Sequence, residues 1–137
     1  KKVCKSIWLM RQAGRYLPEF RKIRLQNKNF IDLCLHSELS SEITLQPITR
    51  FNLDSAIIFS DILMVPYALG QKVEFIKDSG PKLEEFNFKL FTMNDEKSFT
   101  QKLLPVYEAI SKTRNKLDKE KSLIAFVGAP WTLFCLL

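Results

Sequence analysis

Residues 54–61, Asp54-Ser55-Ala56-Ile57-Ile58-Phe59-Ser60-Asp61, indicate the fold class of this chain. The run Ala56–Ser60 is apolar on both faces of a strand, and polar residues bound it on each side. This pattern is typical of a parallel strand that helices cover on both faces, so it predicts an α/β fold. Asp61 follows the run at once. We therefore expect its carboxylate at the carboxyl end of this strand.

Two further apolar runs predict strands of the same sheet. Leu123–Val127 is closed by a glycine, and Ile7–Met10 ends at an arginine. In parallel α/β folds, ligands collect at the carboxyl ends of the strands. We therefore expect the residues that end the three strands to meet at one edge, namely Arg11, Asp61 and Gly128.

The rest of the chain shows helical periodicity around one predicted hairpin. The longest helix is expected from Asn94 to about Leu117, with a kink or break near Pro105. Another helix is expected to start at Ser37 as its cap and to run to about Arg50, with Pro47 interrupting its pattern. Shorter helical segments are predicted at 19–26, 30–35 and 62–69, a strand at 71–75 and a turn at 78–81.

The loop after the first predicted strand carries Arg11 and Arg15 on either side of Gly14. A glycine there indicates a backbone that needs conformational freedom or a close approach by another group. Arginine offers a planar fork of donors that matches a carboxylate or a phosphate. The loop therefore predicts an anion-binding site. A solvated turn with two surface arginines is the alternative.

The net charge of +6 is concentrated in the first 30 residues, where nine lysines and arginines accompany a single acid, Glu19. Such a block can bind nucleic acid, a membrane surface or an anionic small molecule. The chain has no RGG repeat, no RNP-like aromatic motif and no zinc-finger spacing, which favours a small polyanion. A basic binding module for nucleic acid, without enzymatic activity, is the competing interpretation.

Composition narrows the class of protein further. With 137 residues and 46% hydrophobic side chains, the chain is one domain, or part of one, with a real core. It shows neither an apolar run of membrane-spanning length nor a signal peptide. The three cysteines, Cys4, Cys34 and Cys135, have no C-x-x-C spacing, which predicts a reduced, cytoplasmic protein. A single histidine, His36, cannot build a metal site alone and is expected to be a surface or capping residue.

The segment Trp8–Phe20, Trp-Leu-Met-Arg-Gln-Ala-Gly-Arg-Tyr-Leu-Pro-Glu-Phe, resembles the amino-terminal signature of the uroporphyrinogen decarboxylase family. Three later blocks agree with that family in the same order. They are Leu45-Gln46-Pro47 with Arg50-Phe51, then Asp54 through Ala56–Leu63, then Gly128–Leu133. The resemblance spans nearly the entire chain.

The resemblance implies a (β/α)₈ TIM barrel that removes carbon dioxide from the four acetate side chains of uroporphyrinogen III, giving coproporphyrinogen III in haem biosynthesis. It implies no metal and no organic cofactor. Porphyrinogen is the implied partner, with neither nucleic acid nor membrane involved, and full-length members are expected to be homodimers. A corrinoid methyltransferase of the same superfamily would use zinc ligands and lack the Arg-Gln-Ala-Gly-Arg loop.

Carried over residue by residue, the resemblance makes Asp61, Arg11 and Arg15 catalytic. It assigns substrate binding to Arg11, Gln12, Ala13, Gly14, Arg15 and Asp61. Asp61 would stabilise a pyrrole ring made cationic by protonation, and Arg11 and Arg15 would hold substrate carboxylates. Desolvation is expected to raise the pKa of Asp61 and nearby arginines to lower it. A helix cap is the structural alternative for Asp61, and Arg24, which matches a family arginine less securely, is left out of the site.

A barrel of this kind needs about 250 residues, and residues 1–137 supply three predicted strands of one incomplete domain. The family's later tyrosine, serine and histidine have no counterparts here. We therefore expect an open wedge of barrel with an unpaired strand edge, inactive alone. It could be a fragment, a decayed gene product or one half of a split enzyme.

Overall fold

The computed structural model describes residues 5–76, 80–85 and 95–136, and within them helices and strands alternate. The helices are α1 (Pro18–Gln26), α2 (Phe30–Cys34), α3 (Ser37–Phe51), α4 (Met64–Ala68), α5 (Glu96–Lys116) and α6 (Pro130–Phe134). The strands are β1 (Ser55–Ile57), β2 (Val73–Ile76), β3 (Gly80–Leu83) and β4 (Ser122–Ile124). The predicted α/β class is confirmed.

The strands β1 and β4 form a parallel pair, as the two apolar runs predicted. Ser55 pairs with Ser122 and Ile57 with Ile124. Hydrogen bonds extend the ladder at both ends, from Ser122 N–H to the Asp54 carbonyl (3.0 Å) and from Ile58 N–H to the Ile124 carbonyl (2.9 Å). Both strands are shorter than predicted. Because the described residues pair only two parallel strands, they do not close a barrel.

The predicted strand Ile7–Met10 is not a strand. Its Ile7 carbonyl accepts a 3.0 Å hydrogen bond from the N–H of Asp54, the residue just before β1. Beyond that point the side chain of Gln12 occupies the free edge of β1 and bonds to Ser55 and Ile57. An edge that is already satisfied by a side chain leaves no ladder for a neighbouring strand.

The helices follow the predicted pattern with three changes at their caps and prolines. His36 caps α3 through its Nδ1, which accepts from Leu39 N–H at 3.4 Å, so the histidine has the capping role predicted for it and Ser37 does not. Asp95 caps α5, and Asn94, where this helix was expected to begin, lies outside the described residues. Pro105 does not split α5, which runs unbroken to Lys116.

A hairpin leaves the main sheet after α4, as expected. Antiparallel strands β2 and β3 pair Val73 with Leu83 and Glu74 with Lys82. Residues 78 and 79 of its predicted turn lie outside the described residues. Gly80 has a positive φ of 85°, a conformation that favours glycine.

The main core lies between α1, α2 and α3 on one side of β1. Its buried members are Leu17, Phe20, Ile23, Leu33 and Ile43. Phe59 packs against this cluster, and its ring lies edge-on to Phe20 at 5.8 Å and to Phe30 at 5.7 Å. Burying an aliphatic or aromatic side chain of this size contributes about 1.5–3 kcal/mol, so the core anchors the chain just beyond β1.

Large apolar side chains stay exposed along the two outer segments that flank this sheet. Met10 is 80% exposed and Trp131 is 73% exposed. The same holds for Ile7, Trp8, Leu9, Phe126, Val127 and Phe134. Exposed apolar side chains of this size are typical of a surface on which other polypeptide packs. No helix within the described ranges combines the length and the hydropathy that a membrane crossing requires.

Candidate functional site

Asp61 stands beyond β1, where the chain turns into α4. Its Oδ1 accepts a 2.8 Å hydrogen bond from Leu63 N–H, and its carbonyl accepts one of 3.2 Å from Met64 N–H. The carboxylate therefore stabilises the turn that precedes α4, whereas the N-cap of α4 is Leu63 and not, as the structural alternative had predicted, Asp61. No hydrogen bond to Oδ2 comes from any residue that the structure describes, so one carboxylate oxygen is left for another partner.

Burial raises the pKa of the Asp61 carboxyl, and the Leu63 N–H opposes that shift because it stabilises the anion. The expected rise through desolvation is present. The expected lowering by arginines is not, because no guanidinium within the described ranges contributes to this pKa. A half-buried carboxyl with a raised pKa can exchange a proton or stabilise a neighbouring cation.

Cys34 and Arg24 lie on the same side of the molecule as Asp61. Burial, and then the charge of Asp61, raise the pKa of the Cys34 thiol to about 12, while Arg24 opposes the shift. Arg24 is held in place because it donates to the carbonyls of Asn27 and Lys28 and lies over the Phe30 ring, 5.6 Å from its centroid. Arg24 was left out of the predicted site, yet its charge acts on the same thiol as Asp61.

Two hydroxyl groups of α3 hold the backbone just before Asp61. Thr44 Oγ1 accepts a 2.8 Å hydrogen bond from Phe59 N–H and donates one of 2.7 Å to the Ser40 carbonyl. Ser40 Oγ donates to the Phe59 carbonyl at 2.6 Å. Both backbone groups of Phe59 are thus paired with side chains, which fixes the chain two residues upstream of Asp61.

Gln12 is buried, with 3% of its surface exposed, and its amide is bonded to β1. Its Nε2 donates to the Ser55 carbonyl at 2.7 Å, and its Oε1 accepts from Ile57 N–H at 3.1 Å. The resemblance implied that Gln12 binds substrate. In this structure both ends of its amide bond to the backbone of β1, and its binding of substrate stays a prediction.

Arg11 and Arg15 are exposed on either side of Gln12 and the turn that follows it. Across the described ranges, neither guanidinium forms a hydrogen bond or an ion pair. By contrast, Arg50 of α3 is occupied by Glu19, with two hydrogen bonds of 2.9 Å. The loop therefore presents two cations without an internal partner, which suits an external anion.

Gly14 does not have the conformational requirement that the sequence suggested. Its φ is not positive, and a methyl group added there would meet only ring carbons of Tyr16 at 3.5 and 3.6 Å, an ordinary contact. Gly128 differs. A methyl group there would lie 2.6 Å from Leu133 Cδ2 and 3.2 Å from Ile62 Cβ, so a side chain at this position would force Leu133 to move.

The contact between Gly128 and Ile62 brings two of the three predicted strand ends together, those after β4 and after β1. The loop after Met10 reaches β1 itself through Gln12, while Ala13 packs against the main core. Within the described ranges, no hydrogen bond or ion pair joins Arg11 or Arg15 to the other two strand ends. Sequence reasoning missed the roles of Gln12 and Thr44, because their hydrogen bonds connect residues 43 and 15 positions apart. No local pattern carries such a signal.

A cleft of about 580 Å³ lies elsewhere, between α1, α3 and α5. Glu19, Arg50 and Lys116 are among the residues that line it, and none of the predicted site residues does. Within the described ranges, no three side chains of His, Cys, Asp or Glu gather as metal ligands would. We therefore take the strand-end region around Asp61 as the candidate site.

Comparison with protein families gives one match over almost the whole chain. The family described as uroporphyrinogen decarboxylase (URO-D) matches residues 5–137. The matched segment includes the arginine loop, β1 with Asp61, and β4 with the glycine that follows it.

Individual relatives agree with the family match. The chain is 48% identical over 127 residues to a uroporphyrinogen decarboxylase of Chelativorans sp. (strain BNC1). It is 49% identical to those of Agrobacterium fabrum, over 127 residues, and Rickettsia felis, over 131 residues. In each case the match covers 93% of this chain and 37% of the relative. The chain thus spans little more than a third of the length of these relatives.

Proposed function

Because the chain belongs to the uroporphyrinogen decarboxylase family, we propose that it acts in the decarboxylation of uroporphyrinogen III to coproporphyrinogen III. It contributes the arginine loop and Asp61 to the active site of a (β/α)₈ barrel. The two-stranded sheet and its exposed apolar flanks support a barrel that is completed by further strands. We expect residues 1–137 alone to be inactive for the same reason.

The observation that carries the proposal is the state of Asp61. Its carboxylate is half-buried at the carboxyl end of a parallel strand, and its Oδ2 accepts no hydrogen bond from the described residues. Ligands of parallel α/β folds bind at this end of the strands. A carboxylate with one oxygen unused there can accept hydrogen bonds from the pyrrole N–H groups of a porphyrinogen.

The reaction begins when a proton adds to a carbon of the pyrrole ring, which leaves the ring cationic. The bond between the acetate methylene and its carboxyl group then breaks, carbon dioxide leaves, and the electron pair neutralises the ring. Protonation of the methylene completes a methyl group, and the ring carbon then loses the proton it had gained, which restores the pyrrole. Asp61, ionised beneath the ring, stabilises the cation. By analogy with oxyanion holes, such a preorganised charge contributes about 3–4 kcal/mol, or 10²–10³ in rate.

Arg11 and Arg15 bind carboxylates of the substrate in this proposal. Uroporphyrinogen carries eight carboxylates, so the two guanidiniums without internal partners meet a complementary ligand. Ala13 and Gly14 supply backbone between them, and the lack of clashes around Gly14 leaves the approach open. No metal or organic cofactor takes part. The enzyme is expected to act in the cytoplasm as a homodimer, without nucleic acid.

A chimera tests the function. Residues 5–137 replace the matching segment of the Rickettsia felis relative, which is 49% identical. The chimera should convert uroporphyrinogen to coproporphyrinogen, separated by chromatography according to carboxylate number. Asp61→Asn should lower turnover by about 10²–10³ and retain substrate binding, whereas Asp32→Asn, at an exposed position of α2, should leave turnover unchanged.

Two results would contradict the proposal in different ways. An inactive chimera, when the unmodified relative is active, would show that this segment does not serve the reaction. Near-normal turnover of the Asp61→Asn chimera would remove the role assigned to the carboxylate while leaving the function intact.

A further inference from the structure

We infer that Gln12 is a positioning residue, which fastens the loop Arg11–Arg15 to strand β1 and thereby fixes the two arginines relative to Asp61. The inference rests on the proposed function, because it concerns the site in which those arginines and Asp61 act. It assigns Gln12 a role through the backbone of β1 in place of direct contact with the substrate.

The amide of Gln12 acts as one residue of a parallel strand would. In a parallel sheet, a residue donates its N–H to the carbonyl of residue i on its neighbour and accepts from the N–H of residue i+2. Gln12 does this with Ser55 and Ile57, at 2.7 and 3.1 Å. The opposite edge of β1, at Asp54 and Ile58, is bonded to β4. Gln12 thus completes the edge of β1 that no strand of the described residues covers.

The loop Arg11–Arg15 is folded tightly around Gln12, so the loop must move when Gln12 moves. The Tyr16 hydroxyl donates to the Gln12 carbonyl, and Leu17 N–H donates to the Gly14 carbonyl at 3.0 Å. Leu17 is buried in the main core, and the loop is therefore anchored at both ends. Arg11 adjoins one anchor and Arg15 lies within the closed turn, so a shift of Gln12 moves both guanidiniums.

The backbone between the Gln12 contact and Asp61 is also held in place. From the Gln12 contact at Ile57, the chain passes through Phe59, whose two backbone groups are bonded to Thr44 and Ser40. Asp61 follows two residues later and is fixed by its own turn. The backbone between the arginine loop and the Asp61 carboxylate is therefore held by four contacts: those of Gln12, Thr44 and Ser40, and the turn that Asp61 itself forms. Such rigid support for the groups that touch a ligand is how an active site keeps its geometry.

The first test uses residues 1–137 and measures the contact itself. Gln12→Met keeps the length of the side chain and removes both hydrogen bonds, and Gln26→Met makes the same change at an exposed position. In Gln12→Met, hydrogen exchange of the Ile57 amide should accelerate by about tenfold or more, and heteronuclear relaxation should show greater mobility of residues 11–15. Neither should change in Gln26→Met.

Thr44→Val serves as a second comparison, since it damages the same segment without touching the loop. It removes the hydroxyl that accepts from Phe59 N–H and should speed exchange at Phe59 while leaving residues 11–15 ordered. If Thr44→Val mobilised the loop as much as Gln12→Met did, general loss of structure would explain both, and the positioning role would be overturned.

The second test uses the active chimera and separates KM from kcat. Gln12→Met should raise KM for uroporphyrinogen by about tenfold, because misplaced arginines bind the substrate carboxylates less well. If the substitution only damaged the fold, it would lower the fraction of enzyme molecules that are active and leave KM unchanged. That result would overturn the inference. A raised KM with normal Ile57 exchange would also overturn it, because Gln12 would then contact the substrate directly. An inactive unmodified chimera would refute the proposed function, and the exchange and relaxation data would still decide whether Gln12 holds the loop.

Discussion

Ile7 and Asp54 are joined by a reciprocal pair of hydrogen bonds. Asp54 Oδ2 accepts from Ile7 N–H at 2.6 Å, and the Ile7 carbonyl accepts from Asp54 N–H at 3.0 Å. These bonds attach the segment before the arginine loop to the residue before β1. Together with Gln12, they are the only hydrogen bonds from residues 5–12 to the β1 region among the described residues.

Replacing Asp54 by alanine should therefore loosen the attachment of the amino-terminal segment. The Ile7 N–H loses an ionised acceptor, and we expect a loss of about 1–2 kcal/mol in the free energy of unfolding. Asp54→Asn keeps an oxygen at the same place and should lose less than half of that. Urea unfolding of the three proteins measures the difference, and equal stability of the alanine and asparagine variants would contradict the assigned role of Oδ2.

The part of the fold that could be predicted from sequence is the part decided by local apolar runs. The runs after Asp54 and after Ser122 predicted β1 and β4, because residues apolar on both faces need cover on both sides. The run Ile7–Met10 predicted a strand by the same rule and was wrong. Its side chains are exposed, and the edge that it needed is occupied by the amide of Gln12. Competition for one strand edge is a tertiary effect that no window of sequence records.

In the candidate site, too, local sequence patterns could be predicted and long-range contacts could not. Asp61 could be found because it directly follows a buried run, and the cationic loop because two arginines flank a glycine. The contacts that support Asp61 and the loop could not be found from sequence, since Gln12, Ser40 and Thr44 reach backbone groups far away along the chain. Gly128 was predicted only as a strand end, and its packing against Ile62 and Leu133 gives the physical reason for a glycine there.

Arg15→Ala should weaken substrate binding in the chimera more than it slows turnover. A hydrogen bond between charged groups contributes about 1.5–3 kcal/mol, which corresponds to a loss of roughly 10- to 100-fold in affinity. Arg21→Ala, an exposed arginine of α1 outside the loop, is the matched control and should change affinity little. Fluorescence titration with uroporphyrin measures the affinity. An unchanged affinity of Arg15→Ala would count against its role as a carboxylate ligand.

The two cysteines of the described residues should differ sharply in reactivity. Cys34 is 1% exposed and burial raises the pKa of its thiol to about 12, whereas Cys135 is exposed. Since the thiolate is the reactive form, Cys34 should react with a disulfide reagent only as fast as the chain unfolds. The assay uses the Cys4→Ser chain at neutral pH, with and without urea. Rapid labelling of two thiols in the folded protein would show that Cys34 is accessible.

Asp61→Asn should stabilise the chain at neutral pH. Burial raises the pKa of the carboxyl in the folded state above its ordinary value. Below that ordinary value, near pH 4, the acid is protonated in both states and burial costs least. As pH rises through the window between the unfolded and folded pKa values, the unfolded chain loses the proton first, so Asp61 lowers stability. Asparagine has no charge to bury, and its oxygen can still accept from Leu63 N–H.

The stabilisation should therefore be present at pH 7 and should shrink towards about pH 3, as measured by thermal unfolding at both values. Asp118→Asn is the matched control, because Asp118 Oδ1 accepts from Glu120 N–H at 3.0 Å in the same kind of turn but on an exposed surface. That variant should show no comparable gain. A gain for Asp61→Asn that is equal at both pH values would contradict a raised pKa. A loss of stability at neutral pH would show instead that the charge of Asp61 stabilises the folded chain. The carboxylate oxygen without a partner would then cost the fold no stability.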